Sequence, residues 1–273
     1  MPHPNSTLRV LITGAAGRIG RTLRDGLAGR YALLRLADIA QQDEAGTGEE
    51  LVTCDVADMA AVERAVAGID VIVHLAAVPD EDDWDRLLPA NISGTYNLFE
   101  AARRAGVRRV IFASSNHAVG FHRRARPLDE HDVPRPDSRY GVTKVFGEAV
   151  GRLYADKHGM QVASLRIGSF QERPRDRRQL MTWISPGDMV RLVGCAVEAP
   201  DFHYITLYGV SANSRATWWT HAADLVGYHP EDDAEAWADD LMENAPPEHP
   251  VALLFHGGPT CVVEFDGDAS RID

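Results

Sequence analysis

Leu8-Arg9-Val10-Leu11-Ile12-Thr13-Gly14-Ala15-Ala16-Gly17-Arg18-Ile19-Gly20 reads as an apolar strand, a glycine turn and the opening of a helix. Glycines at 14, 17 and 20 permit a tight turn, close approach of an anion to backbone N–H groups, and tight packing of helix on strand. The helix that starts at Arg18 turns its positive end toward that turn. A glycine triplet alone is weak, because glycines also build plain turns. Its context strengthens it: Asp38 closes the next apolar run 18 residues after Gly20, where an acid accepts from both hydroxyls of a ribose. The stretch therefore predicts a dinucleotide site, with Gly14, Gly17, Arg18, Ile19, Gly20 and Asp38 on it. A carboxylate at 38 repels a 2'-phosphate, so NAD is expected over NADP. Arg18 argues the other way, although it can equally pair with the pyrophosphate.

Outward from this stretch the same rhythm repeats. Apolar, β-branched runs at Leu33 to Ala37, Val71 to Leu75, Val110 to Ala113 and Val162 to Ile167 alternate with helical patterns at Arg18 to Ala28, Met59 to Ala67, Pro89 to Ala105 and Arg139 to His158. Continuous apolar strands between amphipathic helices predict an α/β fold, a Rossmann-type doubly wound parallel sheet. Gly68, Gly106 and Gly159 supply three of the helix stops. Beyond Ile167 the rhythm breaks into a polar loop from Ser169 to Thr182, a helix from Ser185 to Glu198, a short strand from Tyr204 to Leu207, and helices at Trp218 to Val226 and Glu231 to Asn244. The expected organisation is a core of residues 1–168 and, within the same compact unit, a small C-terminal lobe of residues 169–273 covering the open end of the sheet. The acidic run from Glu231 to Asp240 is expected to be a solvated helix face, and Asp80 to Asp85 a solvated loop.

Composition narrows the function classes. The 273 residues carry 28 basic and 40 acidic side chains, a net charge of -12, which disfavours a broad nucleic-acid surface. At 45% hydrophobic residues the chain has ample material for a core, which excludes a disordered tail. Cys54, Cys195 and Cys261 lie far apart, in no disulfide or zinc spacing, so no metal is expected and a reducing cytoplasm fits. Apolar stretches such as Val71 to Val78 fall far short of the roughly 20 residues of a membrane span. Met1 to Thr7 shows no signal pattern.

Only Lys144 and Lys157 among the basic residues are lysines, and the other 26 are arginines. Tyr140 and Lys144, four apart on one helix, share a face. Such a pair is expected by chance about 0.05 times in this composition. A phenol titrates near 10 when unperturbed, but a neighbouring ammonium favours the phenolate and brings it into range as a base. The run Val110 to Ala113 ends in Ser114-Ser115-Asn116-His117, at the carboxyl end of the sheet where ligands of open α/β folds bind. There Ser115 can donate to the oxygen that Tyr140 deprotonates. Asp55, after Leu51 to Thr53, can meet an adenine ring or cap a helix. Arg173, Arg175, Arg177 and Arg178 put positive charge on the loop past Ser169, suited to a carboxylate. Spacing does not tell which of them points inward.

These residues carry a resemblance. Thr13-Gly-x-x-Gly-x-x-Gly20, Ser115 and Tyr140-x-x-x-Lys144 resemble the extended short-chain dehydrogenase/reductases. Ala113-Ser-Ser-Asn-His117 with Gly120, Tyr140-Gly-x-x-Lys-x-Phe-Gly-Glu148, Arg166-Ile-Gly-Ser169, Arg178, Thr182-Trp183, Ser211-Ala-Asn213 and Trp218-Trp219 look like their uronate dehydrogenase branch, over Leu8 to Gly258. The resemblance implies a catalytic Ser115, Tyr140 and Lys144. It implies a cofactor wall that also includes Asp55, Val56, Leu75, Ala76, Ala77, Asn91 and Ile167. It implies Asn116, His117, Ser169 and Arg178 on a sugar acid. The family often has a substrate-touching serine where this chain has Pro79, which offers only its carbonyl. The implied reaction is NAD-dependent oxidation of a hexuronate at C1 to the aldarolactone, by a cytoplasmic homo-oligomer with a small-molecule substrate and neither nucleic acid nor membrane as partner. A nucleotide-sugar epimerase or dehydratase shares the triad, but the 106 residues after Ile167 are few for its C-terminal lobe. A non-catalytic NAD-sensing regulator needs no phenolic base.

Overall fold

The apolar runs pair as parallel strands because each must bury both faces, and helices cover the two sides. The computed structural model describes residues 6–218 and 221–273; Trp219 and most of Met1–Thr7 lie outside them. In chain order the sheet-forming half contains β1 (Ser6–Thr13), α1 (Arg18–Gly26), β2 (Tyr31–Asp38), β3 (Glu49–Thr53), α2 (Met59–Val66), β4 (Val71–His74), α3 (Trp84–Leu87), α4 (Thr95–Ala105), β5 (Arg109–Ser115), α5 (Arg139–His158) and β6 (Gln161–Ile167). There follow β7 (Ser169–Phe170), α6 (Gln179–Thr182), β8 (Trp183–Ile184), α7 (Pro186–Glu198), β9 (Tyr204–Gly209), α8 (Ala222–Val226), α9 (Ala238–Asn244) and α10 (Pro250–Leu254).

The main sheet runs β3-β2-β1-β4-β5-β6-β9, parallel throughout. Thr13 pairs with His74, His74 with Phe112, and Ser115 with Ile167, so the chain leaves β1, β4, β5 and β6 along one edge. The strand order reverses between β1 and β4, which opens a crevice there. Buried Leu23, Leu27, Met189 and Leu192 fill one side of the sheet, while Val62, Leu98, Phe99 and Tyr154 fill the other.

Several boundaries differ from the pattern reading. β9 extends to Gly209 and lies beside β6, so the seventh strand and α7 build onto the sheet from beyond residue 168. The helix expected over Pro89 to Ala105 is a wide π turn at Leu88–Gly94 followed by α4. Pro89 has no N–H to give, and Gly94 leaves no room for a side chain beside Val56. Of the helix expected over Trp218 to Val226, the described residues form α8 at Ala222–Val226, while Trp218 bridges Leu128. Of the acidic run, Glu231 and Asp232 donate their backbone N–H groups to buried Asp188, and Asp233 caps a 3-10 turn at Ala234–Trp237 ahead of α9. Asp232 is thus docked on the first turn of α7, where its carboxylate accepts from Ser185 Oγ at 2.5 Å, while Glu231, Glu235, Asp239 and Asp240 stay exposed as expected.

Candidate active site

A cleft of about 830 Å³ follows the carboxyl edge of the sheet. At one end its wall is mostly backbone. Gly14 has φ +72, and a Cβ there would lie 2.7 Å from Ala76 N; one on Gly20 would lie 2.4 Å from Gly14 O. Only glycine permits this closeness of the β1 turn, the β4 exit and α1. Asp38 accepts from Ala16 N at 2.8 Å and Ala40 N at 2.9 Å, which fixes its carboxylate at the tip of β2 with further lone pairs to offer. Gly17, Ile19, Val56, Leu75, Ala76 and Ala77 line the same end. Asp55 lines it too, accepting from Ala57 N at 2.9 Å, while the cap of α2 is Asp58. Arg18 crosses the mouth: its guanidinium donates to Phe170 O and sits 5.7 Å from the Phe170 ring centroid. Asn91, expected on the cofactor wall, stands behind it. Its buried amide holds both the N–H and the C=O of Val78, at 2.8 and 3.0 Å, and so shapes the loop after β4 from the rear.

Tyr140 and Lys144 face the middle of the cleft from α5. Lys144 Nζ donates to Ala113 O at 2.9 Å and lies 5.3 Å from the Tyr140 ring centroid. Burial pushes the Lys144 ammonium down to about 8. Burial also pushes the Tyr140 phenol up; its hydrogen bond to Ser115 opposes that rise, and the carboxylates of Asp80 and Asp137 add to it. Ser115 Oγ accepts from His117 N at 3.2 Å, and Ile167 faces it from β6. The expected solvated loop supplies Glu81, whose carboxylate accepts from Tyr140 N at 2.8 Å and from Arg139 at 2.9 Å. That clamps the loop carrying Pro79 and Asp80, both on the cleft wall, to the first turn of α5.

The far end is made of side chains. Arg178 is buried, whereas Arg173 and Arg175 lie exposed in a separate surface hollow with Trp237, and Arg177 bonds to the carbonyls of Leu241 and Met242. The Arg178 guanidinium donates to His256 O at 2.7 Å, Ser169 Oγ at 3.4 Å and, with the Asn116 amide oriented by its neighbours, Asn116 Oδ1 at 2.7 Å. Asn116 in turn donates to Ile167 O at 3.1 Å. No carboxylate of the described residues forms an ion pair with Arg178, and burial lowers its pKa. His117 completes this end, its ring 6.0 Å from that of Tyr140.

The arrangement unites a dinucleotide cradle, a phenol with a buried ammonium, and a buried guanidinium with no carboxylate at ion-pair distance among the described residues. Residues 10–185 match the model of the NAD dependent epimerase/dehydratase family. Uronate dehydrogenase from Agrobacterium fabrum is 45% identical over 92% of this chain and 95% of its own length. That from Pseudomonas syringae pv. tomato is 41% identical over 92% of each. The chain belongs to the uronate dehydrogenase family. A solved mutant of the Agrobacterium tumefaciens uronate dehydrogenase complexed with NAD is 41% identical, with a TM-score of 0.90 over 94% of this chain and 98% of its own.

Pattern reading missed several residues of this cleft. Ile39, Ala40, Asp80, Phe170, Gln171 and Gln179 line it. Asp80 lay inside the acidic stretch read as a solvated loop, where nothing marked it out from its neighbours. His256 carried no signal either, because it reaches the site from 78 residues beyond Arg178 through its backbone oxygen.

Proposed function

We propose that this enzyme oxidises free hexuronates, glucuronate and galacturonate, at C1 to the aldarolactone. Residues of the glycine turn and Asp38 fit NAD: the cradle at Gly14 and Gly20 has no space for side chains, and the acid at the tip of β2 suits two ribose hydroxyls. When bound, NAD supplies the hydride acceptor.

The protein's own residues do the rest. Tyr140 takes the proton of the C1 hydroxyl as general base, and Ser115 donates to the same oxygen. Lys144 holds its charge beside the phenol, favouring the phenolate against the effect of burial. Asn116, His117 and Ser169 bind ring hydroxyls, and Pro79 contributes its carbonyl. Arg178 takes the C6 carboxylate. That last assignment rests on the observation that carries the whole reading. A buried guanidinium without a carboxylate is costly, and an incoming anion compensates it. A bidentate fork matches a carboxylate in shape as well as charge. The three free cysteines suit a reducing cytoplasm, and the enzyme is read as a homo-oligomer acting on a small molecule.

The test is NADH formation from a panel of free uronates, neutral sugars and UDP-sugars. Turnover of glucuronate and galacturonate, with little from glucose and none from UDP-sugars, is expected. Preference for a UDP-sugar would replace this reading with the epimerase or dehydratase one.

A further inference from the structure

Behind His117 lies a carboxylate with a pocket of its own. Asp137, two residues before α5, has a fully buried side chain and accepts His117 Nδ1 at 2.8 Å. Two glycines from distant segments make room for it. A Cβ on Gly120 would fall 1.8 Å from Asp137 Oδ2, and one on Gly257 1.7 Å from the same atom. Its other oxygen accepts from Ser138 Oγ at 2.8 Å, and that hydroxyl oxygen in turn accepts from Gly141 N at 2.9 Å as the cap of α5. Cys261 Sγ closes the pocket, 3.8 Å from Oδ2.

An ionised carboxylate only accepts, so a neutral imidazole against it must carry its proton on Nδ1. Nε2 is then a bare acceptor. The ring is one-fifth exposed and lines the cleft beside Tyr140, and Nε2 has no partner among the described residues. We propose that Asp137 is a positioning residue that fixes the tautomer of His117, so that Nε2 accepts from a substrate hydroxyl and the cleft selects a sugar that presents an O–H donor at that point. This deepens the uronate reading and rests on it for the identity of the hydroxyl. The tautomer itself is independent of the substrate.

Asp137→Asn tests the arrangement by reversing it. Ser138 Oγ, held by Gly141 N, keeps the amide oxygen as its acceptor, which turns the amide nitrogen toward His117. Nδ1 must then be bare and Nε2 protonated, so a donor faces the substrate hydroxyl. Two-bond proton–nitrogen spectra of the full-length, nitrogen-15-labelled protein at pH 8 read the tautomer directly, with His117→Gln assigning the signals. The expected wild-type signal has Nδ1 protonated and Nε2 bare, and the proton moves to Nε2 in Asp137→Asn. With that switch kcat/KM for glucuronate falls about ten-fold, the loss of one hydrogen bond, while the NAD dissociation constant stays unchanged. A wild-type His117 protonated on Nε2 overturns the proposal even if the variant fails to fold. So does a variant that keeps its proton on Nδ1, or one that switches and keeps full kcat/KM. A wild-type protein with the expected tautomer but no activity on uronates defeats the functional reading instead.

Discussion

The two ends of the cleft are built on different principles. The nucleotide end is mostly main chain: the turn at Gly14 to Gly20, the exits of β1 and β4, and one carboxylate held by two N–H groups. The sugar end is mostly side chain, with Arg178 meeting Asn116 and Ser169, His117 lining the same wall, and His256 lending a carbonyl from the C-terminal segment. A backbone cradle serves any ligand with the same pyrophosphate and ribose. A side-chain end can change its ligand one residue at a time.

The largest expected effect comes where the two ends meet. Tyr140→Phe should lower kcat by about 10² to 10⁴ with the NAD dissociation constant unchanged, measured by steady-state kinetics and calorimetric titration. Turnover within a few-fold of wild type would detach the chemistry from this residue. At the nucleotide end, kcat/KM should favour NAD over NADP by about ten-fold or more, from repulsion between Asp38 and a 2'-phosphate. Asp38→Asn should narrow that gap, and equal use of the two cofactors by the wild type would remove Asp38 from its role.

A further effect falls on stability. Burial lowers His256, behind the sugar end, to about 4 and His74, beneath the nucleotide end, to about 3. Both folded-state values lie below the ordinary 6.5, so the unfolded chain binds more protons as pH falls. Stability is therefore unaffected by these groups above about 6.5 and declines below it, by up to about 1.4 kcal/mol per pH unit for each until its folded-state value is reached. Urea unfolding at pH 7 and pH 5 should show the loss, and His256→Asn should reduce the difference between them. An unchanged slope in that variant would place the acid sensitivity elsewhere.

The same contrast explains what could be read from sequence. The glycine turn, Asp38 and the Tyr140–Lys144 pair are local patterns, where spacing along one element fixes which atoms share a face. Ser115 was legible as the end of an apolar strand. Spacing did not separate Arg178 from Arg173, Arg175 and Arg177; the resemblance pointed to it, and its burial, which depends on His256 and Gly258 packing over it, sets it apart. Glu81 looked like one acid of a solvated loop, because its partner, the N–H of Tyr140, is 59 residues away. Asn91 sat near the right wall but faces its rear, a distinction that the π turn before α4 decides.

The central claim is that the unpaired guanidinium of Arg178 receives the substrate carboxylate. Its most direct test compares kcat/KM for glucuronate and for glucose in the wild type and in Arg178→Ala. Removing one partner of a desolvated charge pair costs about 2 to 5 kcal/mol, so the glucuronate value should collapse while the weak glucose activity changes far less, and the ratio between them should fall by at least about ten-fold. Equal proportional loss on both substrates would make Arg178 a structural residue and contradict the account.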